Sequence, residues 1–409
     1  LLVGILPNVN MKKILFFPQN DSHIANMESI SEWLKEHGYG VTYVDTSNIY
    51  YQKISLGHEY HIVKINLPLH TSFYRLSVLE RMKYVYRFNK EIPDSLISEH
   101  DILIIGNDGA LQRILINRFR KKKKKTVMLL DGLISDYSFP LREILVYSSY
   151  PFRDCLKQLK KCIREYIVKK CASSRWSPFL PGLIGISPVS DIFVIGTHSK
   201  EVIQRINSKS TIHDLGLPRF WKTFNHCNFS CQDPSKICYF PSAYKWHGEF
   251  HEDKAQHQDI KMCCELIQQI NQKSTQSLQL IIKMHPRESA ENYFPYTSCY
   301  DFVRIESNLS VMECFNTCSL FLSNLSTVII EGLTIGIPVY SLMIHFDYWK
   351  YKKSFLGKSC VRKIYDKQSL YALLTEKNTL KVDHKLIQES RYFCNIQTSV
   401  EPICQEIIK

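Results

Sequence analysis

Lys13-Ile-Leu-Phe-Phe17, then Ile24–His37 closed by Gly38, then Val41-Thr-Tyr-Val44, is the stretch that decides the fold. The first and last segments are apolar on both faces, as expected of strands in a parallel sheet covered on both sides. The middle segment has helical length and a terminal glycine that stops it. A strand–helix–strand unit of this kind builds doubly wound α/β domains. The rhythm continues through strands at Asp101–Ile105, Val127–Leu130 and Ile192–Ile195.

After Gly216-Leu-Pro-Arg-Phe220 and the polar segment Asn225–Ser235, the rhythm restarts. Ile237–Phe240, Leu278–Lys283, Leu320–Leu322 and Val339–Ser341 read as strands. Asp259–Asn271, Val311–Asn316 and Ser326–Thr334 read as helices. The expected fold is α/β, with two Rossmann-like doubly wound domains facing a central cleft. Residues 1–10 read as an extension ahead of Met11-Lys12-Lys13. Residues 11–225 form the expected first domain and 226–380 the second. Residues 381–409 are a helical segment expected to cross back to the first domain.

The 409 residues contain 44% hydrophobic and 22% charged side chains, an ordinary globular mixture. Fifteen glycines and sixteen prolines exclude collagen-like and mucin-like chains. No stretch reaches the roughly 18–20 apolar residues of a membrane-spanning helix. Fourteen scattered cysteines without a CxxC pair read as buried thiols in a reducing cytosol, and no spacing suits a metal. Fifty-two Lys and Arg against 39 Asp and Glu leave a net charge of +13.

Part of that charge lies in Arg118-Phe-Arg-Lys-Lys-Lys-Lys-Lys125. More lies in Phe152–Arg175, where Leu156, Leu159, Ile163 and Ile167 recur at helical spacing among lysines. Such a pattern suits an anionic membrane surface, and it equally suits a helix whose apolar face packs on its own domain. Nucleic acid ranks last because no recognition motif accompanies the charge.

In doubly wound sheets ligands bind beyond the carboxyl ends of the strands, so residues just after strands carry the candidate chemistry. His23, in Pro18-Gln-Asn-Asp-Ser-His23, reads as a general base or as part of a helix cap. Asp131-Gly132, after Val127–Leu130, offers a carboxylate to deprotonate an acceptor hydroxyl, although Asp-Gly is also common turn chemistry. Asn107-Asp108-Gly109 is its rival. Lys283, His285 and Arg287 in Lys-Met-His-Pro-Arg suit phosphate recognition, with Pro286 fixing the turn. Ser323, Ser326 and Thr327 in Ser-Asn-Leu-Ser-Thr suit an anion at a helix start, and Glu331 one turn later suits ribose hydroxyls. Ser242, in Pro241-Ser-Ala-Tyr-Lys-Trp-His247, reads as a nucleotide contact, while Trp246 and His247 read more simply as packing.

These pieces resemble a GT-B glycosyltransferase. Asp131-Gly132, His285-Pro286 and Ser323/Ser326-Thr327 are similar to the acidic, HP and serine/threonine motifs of bacterial sialyltransferases and polysialyltransferases. Related features occur in capsule Kdo transferases and CDP-glycerol polymerases. Gly216-Leu-Pro-Arg219 resembles an element preceding the second domain in such enzymes. Leu130 stands where the sialyltransferase motif has its first acidic residue.

The resemblance implies a nucleotide-sugar donor, with CMP-linked sialic acid or a Kdo-like sugar among the candidates. It implies a glycan or lipid-linked acceptor, bacterial capsule or lipopolysaccharide synthesis, inversion, and no metal or cofactor. Asp131 would be the base, His285 would stabilise the departing phosphate, and Ser326 and Thr327 would bind it. The expected location is the cytoplasm, peripheral to the inner membrane. A UDP-sugar 2-epimerase, a CDP-glycerol-type transferase and a noncatalytic nucleotide-binding scaffold are the rivals.

Overall fold

A computed structural model describes residues 11–409 except 51–53, 55, 58, 72, 74–75, 133–158, 161–162, 164–165, 181–183, 226–231, 248, 275–276, 347–353 and 377–382. The side chains of 222–225 and 246–247 are likewise outside the description. The expected extension at 1–10, the start of the basic stretch with Leu156, and the side chains of Trp246 and His247 therefore lie outside the described residues. The chain divides into two compact units, one ending at Arg219 and including Asn395–Lys409, the other Phe220–Cys394.

The first unit holds β1 (Lys13–Phe17), β2 (Gly40–Asp45), β3 (His61–Lys64), β4 (Ile102–Ile105), β5 (Lys125–Leu129), β6 (Asp191–Phe193) and β7 (Thr211–His213). They form one parallel sheet in the order β3-β2-β1-β4-β5-β6-β7. β1 is central, with Ile14 opposite Val41 on one side and Ile102 on the other. Ile14–Phe17 and Ile102–Ile105 are all buried, which is why those segments are apolar without alternation. Edge strand β3 is only half buried, and its sequence lacks that signature.

Helix Asp21–Glu36 starts at Asn20, whose side chain accepts the His23 backbone N–H, and buries Met27, Ile30 and Leu34. The last helix, Glu401–Ile408, packs on it and buries Ile403, Cys404 and Ile407. Each such isoleucine contributes about 1.5–3 kcal/mol. Lys12 Nζ and Lys125 Nζ donate to the carbonyls of Ile408 and Glu406, both at 2.6 Å, and satisfy that helix's end.

The second unit holds β8 (Asp233–Phe240), β9 (Gln279–Lys283), β10 (Val303–Glu306), β11 (Cys318–Ser323), β12 (Val339–Leu342) and β13 (Lys363–Ile364). Its parallel order is β10-β9-β8-β11-β12-β13. Helix Phe250–Lys273 covers the sheet through Ile260, Cys263, Leu266 and Ile267.

Each sheet reverses its winding beside its first strand, between β1 and β4 in one unit and between β8 and β11 in the other. Those are the topological switch points where doubly wound sheets leave room for a ligand. The loops after β1, β4 and β5, and those after β8, β9, β11 and β12, carry the candidate residues described below.

Candidate active-site residues

In the first unit, His23 is buried and lies at the switch point. A Cβ on Gly106, just after β4, would sit 2.2 Å from its ring, so only glycine lets the imidazole lie there. The Gln19 backbone N–H donates to His23 Nδ1 at 3.1 Å. A neutral ring held this way carries its proton on Nε2. It can donate a hydrogen bond there, and it cannot abstract a proton there without changing tautomer. This shifts the expected role of His23 from base to hydrogen-bond donor.

Asp131, two residues past β5, is half-buried, its side chain 9% exposed, and gripped by Arg219. The guanidinium places Nη2 3.1 Å from Oδ1 and Nη1 3.4 Å from Oδ2. The Oδ1 contact is an ion pair without hydrogen-bond alignment. Nη1 also donates to Ser22 Oγ at 2.9 Å, and the Arg219 backbone N–H donates to Asn26 Oδ1 at 3.1 Å. Gly216 turns the chain into this arrangement with φ +78°, a conformation that favours glycine. Arg219, read from sequence only as part of a short motif, is thus the partner of the candidate base. Gly132 has φ +118°, a conformation that favours glycine, and among the described residues nothing lies within 4 Å of an added Cβ.

The rival carboxylate Asp108 is committed elsewhere. Its oxygens accept the backbone N–H groups of Gly185 at 2.9 Å and Ser187 at 2.8 Å, deep in the unit. Asn107 Nδ2 and Gln112 Nε2 converge on Gln19 Oε1, joining the β4 loop to the β1 loop that holds His23.

In the second unit, His285 follows β9 and is half-buried. The Arg287 backbone N–H donates to its Nδ1 at 3.1 Å, again placing a neutral ring's proton on Nε2. That suits donation to a phosphate oxygen. Lys283 Nζ donates to the Met284 carbonyl at 2.9 Å beside it, and the Arg287 side chain is exposed.

Two expected phosphate ligands are turned inward. Ser323 is fully buried and donates to the Phe240 carbonyl at 2.7 Å. Ser242 donates its hydroxyl to the Leu325 carbonyl at 2.7 Å, while Gln256 bonds both its backbone N–H and its carbonyl. Both serines lock the β8 and β11 ends together, because a buried hydroxyl must find a partner. Ser326 and Thr327 remain half-buried beyond β11. Ser326 Oγ accepts the Val328 N–H at 3.3 Å, and the Thr327 side chain makes no cap bond to helix Val328–Thr334. Glu331 follows one turn on, with its backbone N–H bonded to the Thr327 carbonyl.

Sequence reading passed over the network behind this loop. Asn324 Nδ2 donates at 2.7 Å to both Asp259 Oδ2 and the Leu342 carbonyl, and Asn324 Oδ1 accepts from the Tyr239 hydroxyl. Asp259 Oδ1 lies 2.6 Å from Nδ1 of His345, in the loop after β12. Burial pushes the Asp259 carboxyl above its usual range, and the bonds from His345 and Asn324 only partly offset it. The available signal was a lone acid on the apolar face of Phe250–Lys273. Among the described residues no cluster of His, Cys, Asp or Glu is arranged to hold a metal ion.

No protein-family profile matches this sequence, and no curated protein matches it. Solved structures do match over nearly the whole chain. The UDP-GlcNAc 2-epimerase from Methanocaldococcus jannaschii is 13% identical, with TM-score 0.54, covering 97% of this chain and 99% of its own. The wall teichoic acid polymerase TagF with CDPG is 14% identical, with TM-score 0.52, covering 98% and 89%. The glycotransferase of kitacinnamycin is 12% identical, with TM-score 0.53, covering 97% and 98%. At these identities the likeness is one of fold: two parallel-sheet α/β units of the GT-B kind.

Proposed function

We propose that the protein is a GT-B glycosyltransferase that moves a sugar from a nucleotide-sugar donor to a hydroxyl of a glycan or lipid-linked acceptor. What supports this reading is the carboxyl end of β9, β8 and β11, where His285, Ser326 and Thr327 follow neighbouring strands around the β8–β11 switch point. There they would bind the donor's phosphates, with Lys283 and Arg287 adding charge and Glu331 accepting ribose hydroxyls. In the first unit, Asp131 would take the acceptor's proton from within its Arg219 ion pair. His23 would donate from Nε2 to an acceptor oxygen.

The acceptor oxygen would form a bond to the anomeric carbon as the bond from that carbon to phosphate breaks. The proton would pass to Asp131 and the electron pair to the phosphate oxygen, where His285 would stabilise it. Direct displacement with one base gives inversion. None of these steps uses a metal or cofactor. The biological setting we propose is bacterial surface polysaccharide, capsule or lipopolysaccharide, made on the cytoplasmic side with peripheral attachment to the membrane. CMP-sialic acid and CMP-Kdo are the donors we would try first.

The decisive experiment is a thermal-shift series with CMP, CDP, UDP, GDP and dTDP, followed by turnover of the matching nucleotide-sugar with and without acceptor. A nucleotide bound only by the folded chain raises stability by about 2.7 kcal/mol at 100-fold over its Kd. Release of nucleotide that requires acceptor supports transfer. The likeness to a 2-epimerase favours a second reading, in which the nucleotide-sugar is isomerised without acceptor. Absence of any nucleotide shift removes both and leaves a noncatalytic scaffold.

A further inference from the structure

Two helices of the first unit carry a second apolar stripe on the side away from its core. Helix Val78–Glu91 buries Tyr84, Val85 and Phe88, while Val78, Leu79, Met82 and Tyr86 are exposed, Tyr86 to 64%. At about 100° per residue Leu79, Met82 and Tyr86 share a face centred about 150° from the buried set, while Val78, at the helix start, lies beside Val85. Leu159, Lys160, Ile163 and Tyr166–Cys171 are also helical. There Val168 packs with Ala172, Ile186 and Leu180, while Leu159, Ile163, Tyr166 and Ile167 are exposed, Ile163 to 51%. The spacing of Leu159, Ile163 and Ile167 therefore marks an outward face, and Val168 and Ala172 do the packing.

Trp176 and Phe179, in the segment that follows the second helix, are also exposed, Trp176 to 59%, and their rings meet at 6.2 Å. The turn Ser177–Phe179 packs on helices Val78–Glu91 and Ala110–Lys121, fixed by bonds from Arg113 and Asn117 to Ser177 at 3.0 and 3.1 Å. Eleven of the sixteen exposed large apolar side chains among the described residues fall between Val78 and Ile184, so the exposure is concentrated there.

Cations surround these apolar groups. Lys83 and Lys90 are exposed on the first helix, and Lys160, Lys169 and Lys170 on the second. The basic run begins beside the first helix, where Arg118 donates to the Ile92 carbonyl at 3.0 Å, and continues through exposed Arg120–Lys123. Nearby acids are already engaged: Glu91 with Arg87, Asp94 with Arg118, and Glu80 in a capping box with Ser77.

We infer that this surface of the first unit seats on an anionic lipid bilayer, with the two helices lying along the interface. Apolar side chains would enter the acyl boundary, the lysines would meet phosphate headgroups, and Trp176 would sit at the interface. A soluble polyanion would use the cations and leave the apolar stripe unexplained. A second copy of the chain would bring these cations against one another. The inference gives the peripheral attachment proposed above its surface, and it is tested without substrate, so it stands or falls apart from nucleotide binding.

The test is co-sedimentation of the full chain with vesicles of phosphatidylcholine alone or mixed with phosphatidylglycerol. Binding to the anionic vesicles and not the neutral ones is expected, weakening with salt. Ile163→Asp and Met82→Asp should each reduce partitioning at least tenfold. Lys169→Gln with Lys170→Gln should reduce it about fivefold per charge. Thermal midpoints and nucleotide shifts, measured on the same variants, should not move. Absence of binding to anionic vesicles overturns the inference. So does unchanged partitioning in the aspartate variants, which leaves charge attraction alone. Conversion of a dimer to a monomer by Ile163→Asp, without effect on vesicles, assigns the surface to a second copy.

Discussion

The two units use the same imidazole geometry and surround it differently. In each, a histidine beyond a strand receives a backbone N–H on Nδ1, from Gln19 at His23 after β1 and from Arg287 at His285 after β9. In the first unit the neighbouring charge is a forked Asp131–Arg219 pair. In the second it is a set of half-buried hydroxyls backed by Tyr239, Asn324 and Asp259. One arrangement offers a carboxylate to a proton; the other offers donors to an anion. On the proposed function, the histidine alone would not distinguish an acceptor-activating site from a phosphate site. Its surroundings would.

The largest effect should come from the feature special to the first unit. Asp131→Asn should lower turnover by roughly 10²–10⁴ while nucleotide affinity stays within about twofold. Equal losses in both would remove the difference between the two sites. Next is the network special to the second unit. Asn324→Ala strands the Tyr239 hydroxyl and one oxygen of the buried Asp259. It should cost about 2–4 kcal/mol in a urea titration. A cost below about 0.5 kcal/mol would mean the network does not hold the loop.

In titration calorimetry His285→Ala should weaken binding of the nucleotide that stabilises the wild-type chain about tenfold or more and leave the bare nucleoside unaffected. His23→Ala, read by the same calorimetry, should change neither. A loss at His23 matching that at His285 would show that both imidazoles meet phosphate.

The smallest effect concerns acid. Burial raises the Asp191 carboxyl, but hydrogen bonds from His213 and Lys125 overcome it and hold it below the usual range. Asp214 is lowered in the same way, its bonds to Lys200 and Thr197 outweighing burial. Their contribution is present above the unfolded value, about pH 4, and is lost as pH falls through the lowered folded value. Asp259 is raised, so its folded form binds protons more readily than its unfolded form, and acid favours folding there. Hydrogen exchange on stepwise acidification below about pH 4 should therefore expose β5–β7 before β8 and β11. Simultaneous loss in both sheets would contradict this.

The central strands were legible because burial on both faces leaves an unbroken apolar run. β1 matches its sequence reading residue for residue, and β9 differs by one residue. β3, β7, β10 and β13 were missed because edge strands are short and partly wetted. At the sites, sequence located the loops well and the side chains unevenly. Ser323 and Ser242 sit in the right loops and point inward. Asp108 looked equivalent to Asp131 until its two backbone partners, 77 and 79 residues away, were in place.

By itself the sequence determined the alternation of strand and helix, and hence where loops gather at strand ends, since these follow from local periodicity. It also showed two basic stretches, Arg118–Lys125 and Phe152–Arg175, the second with apolar residues at helical spacing. Only the tertiary structure decided which polar groups, such as those of Ser323, Ser242 and Asp108, are consumed by the fold. It brought Arg219 to Asp131 across 88 positions and His345 to Asp259 across 86. It also turned Ile163 outward while Val168 packed inward. Orientation and long-range pairing depend on which surfaces meet, and spacing along a chain does not contain that.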